Sequence, residues 1–186
     1  IFQDETLKIS GGWDCAPSVR DRNMGSYQKV TLHATDEVTI ENPFVSTTVS
    51  DSTLAHISIK VELANHSDRQ VKGKLNARIS LIDEVKFPTY TKKMEGKMKP
   101  IRISEGITLQ PGEKRTIELS EKDFPSLAVK DPHLWFPNGY GEQWLHHLKL
   151  SFDEGAKCSD VKELDFGIRE VRQDLLKNGD NYGRMY

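Results

Sequence analysis

The clearest pattern in the chain is a period of two. Ile57, Ile59, Val61 and Leu63 alternate with Ser58, Lys60, Glu62 and Ala64, and after a polar turn at Asn65–Arg69 the same rhythm returns. There Val71, Gly73, Leu75, Ala77, Ile79 and Leu81 alternate with Lys72, Lys74, Asn76, Arg78 and Ser80. A helix needs apolar residues at i, i+3 and i+4, whereas alternation puts one face of a strand on a core and the other in water. Val45, Thr47 and Val49 share a face of an earlier strand, and Val30 and Leu32 do so in Tyr27–Leu32. Ile101 with Ile103 and Ile107 with Leu109 mark two short strands; Pro111-Gly112 suits the centre of a type II turn, and Ile117 and Leu119 follow as another strand. Asp123–Val129 reads as one helical turn, and Leu148, Leu150 and Phe152 as a further strand. About seven strands at regular spacing, with turn signals between them, predict an all-β chain folded as an antiparallel β-sandwich of immunoglobulin type. No Cys…Trp…Cys frame lies inside it, so its core rests on apolar packing.

One stretch departs from this rhythm. Asp131 to Leu145 gathers Pro132, Trp135, Phe136, Pro137, Tyr140 and Trp144 beside Asn138-Gly139 and Gly141. The prolines bias the residues before them away from helix, and Asn-Gly tolerates φ > 0, so this is an aromatic loop with a turn at its tip. It either folds over an adjoining surface or caps its own core. Beyond it come a strand, a glycine-containing turn and Ser159-Asp160 through Phe166-Gly167-Ile168-Arg169 to Val171. Asn178-Gly179-Asp180 near the end is a hairpin-turn signature.

Charge and composition exclude more than they assign. The 186 residues carry a formal net charge of −2, without bias toward nucleic acid or membrane surfaces. No apolar run approaches the roughly 20 residues of a membrane span. Cys15 and Cys158 lack metal-binding spacing and read as two free thiols. Lys92, Lys93, Lys97, Lys99 and Arg102 form a basic stretch, either an anionic-ligand patch or an edge and loop whose lysines discourage sheet-to-sheet pairing; the lack of interleaved aromatics favours the second. His146 and His147 are neighbours in a strand, point to opposite faces and cannot chelate one ion together. Gly139-Tyr140-Gly141 lacks the flanking strand and helix of a phosphate loop, and no nucleophile elbow is present. Acid–base chemistry by paired carboxyl groups needs two of them at a set separation, one kept protonated; Glu62 and Glu118 are outward members of alternating strands instead, and Glu163 and Asp165 flank Leu164 in the last strand. No catalytic residue, metal or cofactor is assigned.

The motifs "P-x-L-W-x-P-N-G-Y-G-x-Q" and "S-D…F-G-I-R-x-V" resemble the immunoglobulin-like domain of glycoside hydrolase family 2, in its β-mannosidase and exo-β-glucosaminidase branch. Phe136 stands where a second Trp is common and Trp144 where a Pro is common. Gly11-Gly12-Trp13-Asp14-Cys15-Ala16-Pro17 with Arg20 and Arg22 resembles the end of that family's N-terminal sugar-binding jelly roll, with Cys15 in place of a Trp. The resemblance implies three parts: residues 1–35 as the remnant of the sugar-binding domain, 36–172 as the sandwich, and 173–186 as a hairpin leading to a catalytic barrel. The chain opens on Ile1 and is expected to be a piece of a longer, periplasmic or secreted, retaining exo-β-glycosidase whose catalytic carboxylates lie on the barrel. In that parent Trp13 and Asp14 would contact a β-linked glycan, and Trp135, Phe136, Tyr140, Trp144 and Arg169 would dock the sandwich to its neighbours. Two other readings stay open: an independent carbohydrate-binding module using Trp13, Trp135, Tyr140 and Trp144 as a platform, and a cell-surface adhesion sandwich.

Overall fold

The computed structural model describes residues 30–51, 53–86 and 91–171, and the backbone alone of 173–175 and 183–185; at 51, 85 and 86 the side chains are likewise left out. By its contacts the chain divides into two units, Ile1–Ala34 and Thr35–Tyr186. Of the first, only residues 30–34 are described, and they form neither strand nor helix. The strand expected at Tyr27–Leu32 is therefore not formed over its described part, and Val30 and Leu32 are exposed. Alternation makes a strand only where a neighbour supplies hydrogen bonds and an apolar face, and no strand pairs with these residues among those described.

In the second unit the strands, in chain order, are β1 (Val38–Asp51), β2 (Leu54–Asn65), β3 (Val71–Leu81), β4 (Glu84–Lys86), β5 (Thr91–Lys93), β6 (Ile101–Leu109), β7 (Lys114–Leu119), β8 (Ala128–Lys130), β9 (His146–Glu154), β10 (Lys157–Phe166), β11 (Gln173–Leu175) and β12 (Gly183–Met185). One sheet has the order β1-β2-β7, with β8 also on β2; the other has the order β10-β9-β3-β6, and every pairing is antiparallel. β7 and β8 lie along the same edge of β2, opposite Ile59–Ala64 and Leu54–His56 respectively. They act as one edge interrupted by the 3-10 turn Pro125–Leu127, which buries Leu127. The fold is thus an all-β, antiparallel sandwich, as the alternation predicts.

Ile57, Ile59, Val61 and Leu63 from β2 meet Leu75, Ile79, Leu148, Leu150 and Phe152 from the other sheet in one core. Gly73 occupies an inward position of β3 because Phe152 lies over it; a Cβ there would stand 2.6 Å from the ring. Ile101 through Leu109 is one strand, not two, since Glu105 and Gly106 continue the ladder opposite Leu75 and Lys74. At Pro111-Gly112, Gly112 has φ 65° and the Glu113 N–H donates to Gln110 O at 3.1 Å, a turn that uses the freedom of glycine.

Asn65 ends β2 and is buried. Its Nδ2 donates to Arg69 O (2.8 Å) and Gln110 O (2.9 Å), and its Oδ1 accepts from the N–H and hydroxyl of Ser67. One amide thereby holds the β2–β3 turn against the β6–β7 turn with its donors and acceptor engaged, as burial requires. β11 pairs with β12; Asn178-Gly179-Asp180 between them lie outside the described residues.

Candidate docking surface and the edge of the sandwich

The aromatic loop is a small irregular hairpin. Asp131 enters it at φ 47°, its N–H donating to Thr53 O at 2.7 Å. Leu134 then pairs in parallel with Ile168, and the Trp135 N–H donates to Ile168 O at 2.9 Å. Trp135 faces Gln143, and the Phe136 N–H reaches Glu142 O at 3.0 Å. At the tip the Tyr140 N–H closes on Pro137 O (3.0 Å) around Asn138-Gly139, with Gly139 at φ 86°, the turn that Asn-Gly predicts.

These bonds sort the expected docking residues into two groups. Trp135 is half-buried: its side chain lies on Gly167, where a Cβ would come within 2.7 Å, and the Arg169 guanidinium sits 4.7 Å above its ring. Trp144 is also half-buried, seated on Gly96, with the His133 ring edge-on at 4.6 Å. Phe136 and Tyr140, by contrast, are 40% and 82% exposed. The structure brings Trp135 and Arg169 together, seats Trp144 in the fold, lays Phe136 over Gly141 with part of its ring exposed, and leaves Tyr140 in solvent. Trp13, Asp14, Cys15, Arg20 and Arg22 lie outside the described residues.

At the foot of the loop, His146 is fully buried and stacks on Phe166 at 5.5 Å. Neither ring nitrogen makes a well-formed hydrogen bond, and the Phe166 backbone favours the charged ring only weakly. Burial, reinforced by nearby His133, lowers its pKa to about 4. His147 points the other way, its Nδ1 2.7 Å from Asp165 Oδ1, so the two rings diverge as strand geometry requires.

Several surface carboxylates are held in ion pairs. Arg69 binds Glu154 through two bonds (2.9 and 2.8 Å) and also Glu37. Lys114 bridges Glu41 and Glu62, Lys149 meets Glu163 at 2.9 Å, and Lys157 pairs with Asp36. These cations hold Asp36, Glu41, Glu154 and Glu163 below the usual carboxylate range. A glycosidic general acid needs the opposite shift. Ser50 Oγ lies 3.0 Å from His56 Nε2, and His56 Nδ1 contacts Glu121, which is the connectivity of a Ser-His-Glu chain. Ser50 is exposed and the His56 and Glu121 side chains are 28% and 42% exposed, so the chain lacks the water-excluded setting in which such a relay gains its power.

A further set of residues, part of it inside the family motif, does work that local sequence pattern does not show. The outer edge of β1 is closed by side chains from β10 and the segment after it. Ser159 Oγ accepts from the Val38 N–H (2.9 Å) and donates to Val38 O (2.8 Å). Asp160 takes the Ile40 N–H (2.7 Å) on one oxygen and the Val161 N–H (2.7 Å) on the other. Further along, Glu170 Oε2 accepts from the Val49 N–H (2.6 Å), and the Thr47 hydroxyl donates to Arg169 O (2.6 Å). Ser159 is the extra residue of a bulge in β10, which turns both side chains toward β1. The available signal was the polar pair Ser-Asp at two adjacent positions near the start of a strand that afterwards mixes apolar and charged residues.

The fold and these contacts define a two-sheet β domain with an edge tied shut and an aromatic loop projecting from it. Residues 38–169 match the sequence model described as "Glycosyl hydrolases family 2", and the chain belongs to that family. It is 27% identical to an exo-beta-D-glucosaminidase of Amycolatopsis orientalis over 98% of this chain, and 25% identical to a mannosylglycoprotein endo-beta-mannosidase of Lilium longiflorum over 92%. It spans 15% and 17% of those proteins' lengths. Among solved structures, an exo-chitosanase of Amycolatopsis orientalis superposes with a TM-score of 0.59 at 20% identity, over 81% of this chain and 15% of that one. A family 2 beta-glucuronidase superposes with a TM-score of 0.54 at 14% identity, over 81% and 14%. At these identities the superpositions speak for the fold. Among the described residues no helix is long and apolar enough to cross a membrane.

Proposed function

We propose that residues 36–172 are a non-catalytic, immunoglobulin-like sandwich that packs between a sugar-binding domain and a catalytic barrel in a longer family 2 glycosidase. The observation that carries this reading is that the family match, residues 38–169, coincides with the two-sheet unit, while the chain spans only 15% of the glucosaminidase it resembles. The strand order supports the immunoglobulin-like assignment: β1-β2-β7 against β10-β9-β3-β6 corresponds to strands A-B-E over G-F-C-C′. In this reading residues 1–35 close the sugar-binding domain, with Trp13 and Asp14 contacting a β-linked sugar in the intact enzyme, and residues 173–186 lead to the barrel. Phe136 and Tyr140, presented by Trp135 and Arg169, dock against a neighbouring domain, and Trp144 holds the loop in place. The half-buried settings of Trp135 and Trp144 weigh against a free sugar-binding platform. The parent enzyme hydrolyses a terminal β-linked glucosaminyl, mannosyl or galactosyl residue.

The test compares the 186-residue chain with the full product of its gene on 4-nitrophenyl β-glycosides of these sugars. The longer protein should release nitrophenol from at least one of them, with retention of configuration, and the chain alone from none. Cleavage by the chain alone, or a gene product without a barrel domain, would overturn the reading.

A further inference from the structure

The outward face of β6, β3 and β9 departs from the rest of the surface. Its outward positions are Arg102, Ser104, Gly106 and Thr108 on β6, Lys72, Lys74, Asn76, Arg78 and Ser80 on β3, and His147, Lys149, Ser151 and Asp153 on β9. Five of these are Lys or Arg and one, Asp153, is a carboxylate, in a chain whose net charge is −2. The register sharpens the imbalance. Arg78 lies directly opposite Arg102 on one side and Lys149 on the other, so three cations form one row across three strands about 4.8 Å apart. Like charges in directly opposed positions are unfavourable. Lys149 is relieved by Glu163, but Arg78 and Arg102 are exposed and have no acidic partner among the described residues. Several cations elsewhere are matched, as in Arg69 with Glu37 and Glu154 or Lys114 with Glu41 and Glu62; what sets this row apart is that its cations stand directly opposite one another. The row floors a shallow cleft that Asn76, Ser104 and Ser151 also line, which adds hydrogen-bonding groups around the guanidinium groups.

We propose that this face is a docking surface for an acidic protein partner, whose Asp and Glu side chains pair with Arg78 and Arg102. The chemistry of the face selects this occupant. Guanidinium groups match carboxylates through paired bonds, and arginine is favoured at protein interfaces. The outward positions of the three strands include no Phe, Tyr or Trp. Sugar rings and nucleotide bases therefore have nothing to stack on, whereas carboxylate side chains need no such platform. The sandwich core beneath keeps the sheet rigid, so little order is lost on binding. The inference rests on the charges of this face and stands whether or not the sandwich belongs to a longer glycosidase.

The probe is a fluorescein-labelled octaglutamate peptide, titrated by anisotropy against the 186-residue chain at low ionic strength and again at about 0.3 M salt. Binding is expected at low salt, weakened by added salt and reduced about tenfold or more in R78E/R102E. The control pair K60E/K130E, two exposed lysines outside this face, changes net charge equally and should leave binding within about twofold. R78Q/R102Q, which introduces no new charge, should melt like the unmodified chain and still lose the peptide. Failure to bind at low salt, equal loss in the control pair, or tighter capture of a heparin oligosaccharide or single-stranded DNA through the same arginines would each overturn the proposal.

Discussion

Two glycines in neighbouring strands show how one position can be fixed by packing and another left open. Gly73 on β3 faces the core under Phe152, where a Cβ would meet ring atoms at 2.6 Å and Asp153 O at 2.8 Å. Gly106, across the ladder on β6, faces outward, and a Cβ there would meet nothing within 4 Å. Gly73→Ala should therefore lower the unfolding free energy by about 1–3 kcal/mol through overpacking, while Gly106→Ala should leave it unchanged or raise it by up to about 1 kcal/mol. Urea melts of the two variants against the parent chain check both signs. His146 makes a second case, one of charge. In the unfolded chain its imidazole takes a proton near pH 6.5, in the folded chain only near 4. Between those values the unfolded state binds more protons, so stability is complete above about pH 7 and falls as pH drops from 6.5 toward 4, by up to about 3 kcal/mol. The ion-paired carboxylates, lowered in the fold, lose their contribution only below about pH 4, so the two windows separate. Melting midpoints from pH 7.5 to 4.5 should slope for the parent chain and flatten for His146→Leu; equal slopes would assign the effect elsewhere.

At the scale of elements, alternation foretold which faces turn inward but not where strands break phase. β2 and β3 are legible because their apolar residues alternate without interruption. β1 is harder: Val38 and Ile40 are buried at even positions, Val45 and Val49 pack inward at odd ones. Asn42 (φ 49°) and Pro43 stand opposite the single residue Val61, a bulge that shifts the phase by one. A proline in a strand pattern signals such a place, since it cannot donate to the ladder. The motif Ser159-Asp160 was recognisable as a family signature, yet its work, closing the free edge of β1, depends on a partner 120 residues away and is invisible to local pattern. The aromatic loop could be read as a loop, but which of its aromatics would be buried depends on Gly96 and Gly167, whose contacts with it are tertiary. The edge closure carries its own prediction. Asp160→Ala strips the Ile40 and Val161 N–H groups of a buried acceptor and should cost about 2–4 kcal/mol. It also uncovers backbone donors on a sheet edge, so light scattering should report self-association of the variant under conditions where the parent chain stays monodisperse.

For the molecule as a whole, the division of the aromatic loop into seated and exposed residues separates what holds the sandwich together from what it offers outward. Trp135 and Trp144 lie over glycines and within ring contacts, so replacing either by Ala removes packed surface and should cost roughly 2–4 kcal/mol in the isolated chain. Tyr140 is 82% exposed and Phe136 40%, so Tyr140→Ala and Phe136→Ala should shift stability by no more than about 0.5 and 1 kcal/mol respectively. Docking reverses this order. If the loop tip packs against a neighbouring domain, Tyr140 and Phe136 are read out only in the longer protein, where Tyr140→Ala should loosen the inter-domain contact while the sandwich melts as before. Hydroxyl-radical footprinting of both forms makes the comparison direct. Tyr140 should be oxidised readily in the 186-residue chain and protected several-fold in the longer one, while Trp135 changes little. Equal oxidation of Tyr140 in both would leave the loop tip in solvent and remove it from the docking surface, whatever the rest of the sandwich contacts.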